Sequence, residues 1–107
     1  GDLEALFAGV VEMVQANPDD PAFQYVLILE ARRRPELRPR GEQVSATYRQ
    51  ALRGELEAAG IDADESLVHL VFAAVDGLVF QQVCLDDPAG ARAGVERLRT
   101  ILRPLAR

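Results

Sequence analysis

With 107 residues the chain has room for one domain around one core, and a composition that is 49% hydrophobic and 6% aromatic describes a globular helical protein, not a disordered one. A formal net charge of −5 argues against nucleic-acid binding by these residues, since such binding rests mainly on neutralising phosphates. The single cysteine, Cys84, has no intrachain disulfide partner and fits a reducing cytoplasm, and no signal peptide is visible.

Leu3, Leu6, Phe7, Val10, Val11 and Val14 repeat at intervals of three and four, which predicts one amphipathic helix ending before Asn17-Pro18. Because the chain opens at Gly1 without a methionine and its first turn already has a helical pattern, an upstream part is expected. Asp20-Pro21 reads as an N-cap followed by proline at the first helical position. It opens a second helix through Phe23, Tyr25, Val26, Leu27, Ile28 and Leu29, apolar nearly all round and so expected to be central. Arg32-Arg33-Arg34 then place three cations where the helix dipole favours them.

Pro35 starts a third segment, and Pro39, which lacks the amide needed to bond back to residue 35, predicts a kink or restart. From about Arg40, Val44, Tyr48, Ala51, Leu52, Leu56 and Ala59 form an inner stripe, and Gly60 is placed to end the helix in a left-handed turn. Asp62 and Glu65 have capping-box spacing for a fourth helix running to about Leu85. Asp87-Pro88 repeats the start signal for a fifth, with Val95, Leu98, Ile101, Leu102 and Leu105 on one stripe. No segment alternates like a strand, so the expected fold is all-α with five helices.

The fourth helix carries the most information. Leu67 to Leu85 has about the length of a membrane span, but His69, Asp76, Gln81 and Gln82 interrupt it, which favours a buried helix and no membrane. At about 100° per residue, Leu67, Val71, Ala74, Leu78 and Leu85 share one side, and His69, Ala73, Asp76, Phe80 and Val83 the opposite one. A flank between them carries Leu70, Gly77 and Gln81, with Ala73, Ala74 and Cys84 close by, small enough for another helix to approach. One small core cannot cover every side of such a helix, so the surplus apolar surface implies a partner, by default a second copy.

The stretch Glu-Ala-Arg-Arg-Arg-Pro-Glu-Leu-Arg at 30 to 38, the amphipathic helix ending at Gly60, and Val75-Asp76-Gly77-Leu78 followed by Asp87-Pro88 resemble the C-terminal domain of TetR-type transcriptional regulators. The resemblance covers nearly the whole chain in helix order and length. It implies a single effector-binding and dimerisation domain over residues 1 to 107, with the last two helices forming a four-helix dimer interface. It also implies a DNA-binding helix-turn-helix upstream, which nothing in these residues matches.

Several residues admit two readings. His69 and Asp76, about 10.5 Å apart along the helix axis, either present polar groups to an apolar cavity flanked by Phe72 and Phe80 or are satisfied by the backbone or across a dimer interface. Glu30 suits an ion pair with a nearby Arg better than ligand contact. Cys84 and His69 are roughly 22 Å apart on one helix, too far for a nucleophile and base, and Cys84 reads as a small hydrophobe. One His and one Cys give no zinc spacing, and no glycine-rich phosphate loop is present. The Arg32 to Arg40 cluster lacks interleaved aromatics and reads as a solvated helix end. Phe7, Phe23, Leu27 and Leu52 are core by default.

The resemblance and the residues together predict a cytoplasmic, non-enzymatic regulatory domain without cofactor or metal, binding a small apolar effector and acting on DNA only through the upstream segment. Phe23, Leu27, Tyr48, His69, Phe72, Asp76 and Phe80 are expected to include pocket residues. Leu70, Ala73, Ala74, Gly77, Gln81, Val95, Leu98 and Leu102 are expected at the dimer face. The competing reading is a ligand-free helical protein–protein interaction module with a collapsed core.

Overall fold

The computed structural model describes residues 3–107. After a single 3-10 turn at Leu3–Ala5 come α1 (Val10–Ala16), α2 (Asp19–Glu30), a 3-10 turn at Pro35–Leu37, α3 (Arg38–Ala58), α4 (Glu65–Leu85), α5 (Pro88–Leu102) and a final 3-10 turn at Arg103–Leu105. The all-α class and five-helix order expected from periodicity hold among these residues. The molecule is a slab of 43 × 29 × 17 Å.

The core gathers at one end of the slab. Leu52, Leu56 and Ala59 from α3, Val68 and Val71 from α4, and Val95 and Leu102 from α5 close on Leu6 and Phe7 of the N-terminal segment. Ile61 and Ala63, in the connection between α3 and α4, complete it. Gly60 ends α3 with φ +86°, a conformation that glycine adopts without steric penalty. The turn is locked from outside: the Arg107 amide donates to the Gly60 carbonyl at 2.9 Å, and Ile61 bridges Ala106.

Several local expectations are corrected. The first helix is broken: Phe7 (φ +63°) and Gly9 (φ +77°) both take left-handed backbone, and α1 begins only at Val10. At the break the Leu6 carbonyl accepts from Arg99 Nε of α5 at 2.7 Å. Left-handed backbone at Phe7 costs about 1–2 kcal/mol, offset by burying both Leu6 and Phe7. Asp20-Pro21 does not start α2, which begins at Asp19 after Pro18, with Pro21 in its first turn. Asp62 does not cap α4. Burial of Ile61 and Ala63 keeps the chain extended past Asp62, and Asp64 caps instead, its Oδ1 accepting from the Leu67 amide at 2.8 Å.

Helix α2 is not central. Phe23 is 65% exposed, and Val26 and Leu29 lie on the same outer stripe, because α3 and α4 cover only one side of the helix. Tyr48 on α3 is 56% exposed, leaving Leu52 and Leu56 as the inner residues of that helix. On α5, which gives way to a 3-10 turn at Arg103–Leu105, Ile101 and Leu105 are exposed while Ala91, Val95 and Leu102 are buried. Pro39 behaves as expected: a short 3-10 turn precedes it and α3 restarts at Arg38 with Pro39 in its first turn. Asp87 caps α5, accepting from the Gly90 amide at 2.9 Å.

Candidate functional site

Helix α4 is the hub, touching α1, α2, α3 and α5. Its buried side is the stripe of Val68, Val71 and Gln82. Its opposite side carries Leu70, Ala73, Gln81 and Cys84, all exposed, with Leu70 at 66%, and Leu85 at the end of the helix is 69% exposed. A Cβ built on Gly77, in the middle of this stripe, meets nothing within 4 Å. Of the residues expected at a dimer face, Leu70, Ala73 and Gln81 are therefore outside, and Ala74 and Gly77 are half-buried. Val95 and Leu102 are in the subunit's own core and Leu98 packs against it, so they are not free for a partner. The outward positions of the α5 region are Ile101, 61% exposed, and Leu105. Cys84, read as a buried small hydrophobe, is exposed because it shares the uncovered stripe.

Phe72, Asp76 and Phe80 recur every fourth residue along one edge of α4, where α2 packs. Tyr25 of α2 joins this edge. Its hydroxyl donates to Asp76 Oδ1 at 3.0 Å and lies 3.2 Å from the Asp76 carbonyl, and its ring meets Phe80 edge-on at a centroid distance of 5.1 Å. Burial first, and then the negative charge of Asp76 and the bond to it, push the Tyr25 phenol well above its ordinary value. Of the seven residues expected to line a pocket, the α2–α4 contact thus brings together Asp76 and Phe80, with Phe72 one turn earlier and Leu27 half-buried on α2. Phe23 and Tyr48 are exposed.

His69 lies elsewhere, in an open groove of about 620 Å³ between α3 and the start of α4. Arg49, Arg53, Glu57 and Glu65 line the same groove, which is therefore polar and of mixed charge. A second groove of about 370 Å³ runs between the end of α2 and the start of α3, past Ile28, Ala31, Arg32 and Arg38. Glu30 faces the arginines after it, at 3.6 Å from Arg33 and 3.5 Å from Arg34.

Tyr25, Gln82 and Arg99 are polar residues whose roles the sequence does not reveal. Tyr25 sits in the apolar run of α2, and only the opposing carboxylate of Asp76 shows what it does. Gln82 is buried, its Nε2 donating to the Val11 carbonyl at 3.0 Å. That bond fixes the amide so that Oε1 has no partner, and Gln24 Oε1 on α2 is likewise buried and unpaired among the described residues. A glutamine within an apolar helix signals this, but not which neighbour will meet it. Among the described residues no group of three His, Cys, Asp or Glu side chains is arranged to hold a metal.

What the arrangement offers is an uncovered apolar helix face and an aromatic-carboxylate contact between α2 and α4. Residues 1–104 match the family model described as "Tetracyclin repressor-like, C-terminal domain". No curated protein and no solved structure matches the chain. The helix order, the capped α4–α5 pair and this match over nearly the full length agree: the chain belongs to the tetracyclin repressor-like C-terminal domain family.

Proposed function

We propose that residues 1–107 form the regulatory domain of a cytoplasmic TetR-like transcriptional regulator, which homodimerises through α4 and the α5 region and binds a small, largely apolar effector. The observation that carries this reading is the state of α4: a 21-residue apolar helix with only 17% of its most apolar stretch buried within the subunit. Leu70, Ala73, Gly77 and Gln81 on α4, with Ile101 and Leu105 beyond them, supply the face for a second copy. Small residues at its centre permit the close approach that a four-helix interface needs.

Effector contact is assigned to the α2–α4 edge around Tyr25, Phe72, Asp76 and Phe80. An apolar ligand with one polar group suits it, the aromatic rings taking the apolar part and the Tyr25–Asp76 pair the polar one. The domain acts by favouring one helix arrangement when occupied and so altering the spacing of two upstream DNA-reading heads. It needs no metal or cofactor and performs no catalysis.

Sedimentation of the chain tests the dimer, and a thermal-shift screen of apolar molecules bearing one hydroxyl, amine or carboxylate tests the effector. A dimer with a concentration-dependent rise in melting temperature supports both parts. The exposure of Phe23 and Tyr48, two of the expected pocket residues, favours a second reading, a ligand-free interaction module. A dimer with no shift across the screen is the outcome that reading expects.

A further inference from the structure

Three arginines of the α5 region hold the N-terminal segment. Arg92 reaches Glu12 and Gln15, Arg99 donates to the Leu6 carbonyl and pairs with Glu96, and Arg103 contacts Glu4 at 3.0 Å. With spacings of seven and four residues these arginines share one face of the helix, and residues 4–15 run along it. Arg99 is the central clasp and is itself buried.

The clasped segment is in a conformation that its own sequence opposes. Leu3, Leu6, Phe7, Val10 and Val14 have the period of one continuous helix, yet the chain breaks at Phe7 and Gly9, both left-handed. The bonds around the break are of the tighter i to i−3 kind: Leu6 to Leu3, Ala8 to Ala5, and Val10 to Phe7. In a continuous helix the Val10 amide would bond the Leu6 carbonyl. Here Arg99 bonds that carbonyl instead, and Val10 donates to Phe7 at 3.3 Å.

The geometry points to a two-state latch: residues 3–16 exchange between the broken form, held by Arg99 on the Leu6 carbonyl, and a continuous helix in which Arg99 is released. Straightening would also pull Glu4 away from Arg103, so both bonds break together. Because α5 belongs to the subunit's packed layer and the segment leads into the domain, the latch converts a movement of α5 into a change of direction at the N-terminus. Its use in steering DNA-reading heads rests on the regulatory reading above, whereas the latch itself does not.

Nuclear magnetic resonance of the labelled chain tests it through the 13Cα shifts and amide exchange of residues 4–10. Gly9→Ala disfavours the left-handed residue and favours helix, so it is expected to move the equilibrium toward the continuous form on the order of 30-fold. Arg99→Met removes the clasp and keeps the apolar stem, and is expected to move the same resonances in the same helical direction. Phe7→Gly relieves the strained residue and is expected to retain the break, with amide exchange slower than in the parent chain. Gly9→Ala and Arg99→Met spectra that keep the break, or that turn residues 4–10 to coil, overturn the latch, as does a helical Phe7→Gly. If Arg99→Met does not fold, Gly9→Ala decides alone. Failure of sedimentation to show a dimer would count against the regulatory reading and leave the result of these spectra intact.

Discussion

Tyr25 of α2 and Asp76 of α4 are 51 positions apart in sequence and joined by a hydroxyl-to-carboxylate hydrogen bond of 3.0 Å, which ties α2 to the hub helix. Little else holds α2 in place, since none of its own residues is fully buried. The bond therefore has more influence on the position of α2 than a single polar contact has in a well-covered helix.

Replacing Tyr25 with Phe removes the hydroxyl and leaves Asp76 without this partner. We expect a loss of about 1–2 kcal/mol in urea-unfolding stability, with the ring contact to Phe80 retained. The pH dependence has a definite sign. Because the folded phenol titrates above its ordinary value of 10.0, the folded state holds a proton that the unfolded state loses. Its contribution is fully present below pH 10 and declines as the pH rises through the folded value. Urea titrations at stepwise alkaline pH should show this decline in the parent chain and a weaker one in Tyr25→Phe.

Gly77→Leu separates subunit folding from association. The added side chain starts in open space, so the subunit should fold with its helical content unchanged. A symmetric partner packed on the α4 stripe would meet it directly. Sedimentation equilibrium is expected to show a dimer for the parent chain and a monomer for the variant, and a variant that still sediments as a dimer would remove α4 from the interface.

Gly94 behaves in the opposite way, because a Cβ there would be 2.5 Å from Leu78 Cδ2 and 3.1 Å from Cδ1. The Leu78 side chain fills the place that a Cβ at Gly94 would take, so a larger residue there forces Leu78 to shift. Gly94→Val should cost about 1–3 kcal/mol by overpacking. Adding Leu78→Ala should recover part of that loss, and strictly additive effects in a double-mutant cycle would show that the two positions do not meet.

The two candidate caps of α4 can be told apart by alanine substitution. Asp64 bonds the Leu67 amide and accepts from Ser66, which hold its carboxyl below its ordinary value, so its capping contribution is present above that value and fades as the pH falls through the lowered one. At neutral pH Asp64→Ala should lower the melting temperature and Asp62→Ala should leave it nearly unchanged. Equal effects would place the start of α4 earlier than Asp64.

Much of the fold was legible because its signals are local. The period of apolar residues, the restart at Pro39, the left-handed turn at Gly60 and the Asp87-Pro88 start depend on residues within a turn of each other, and the five-helix order follows from them. The apolar surplus of α4 was likewise readable, since its sequence offers more apolar faces than a small core can cover. So was the pairing of Glu30 with the arginines that follow it.

What only the tertiary structure decided is which face of each helix meets a neighbour. Helix α2 is apolar nearly all round, so its sequence contains no indication of which side α3 and α4 will cover, and Phe23 turned out to be outside while Tyr25 met Asp76. Val95 and Leu102 share a stripe with Ile101, and only the packing of α5 against the common core separates the buried pair from the exposed residue. The break at Phe7 belongs to the same class. Arg99 meets the Leu6 carbonyl there from 93 positions away, and local periodicity carries no trace of a partner at that distance.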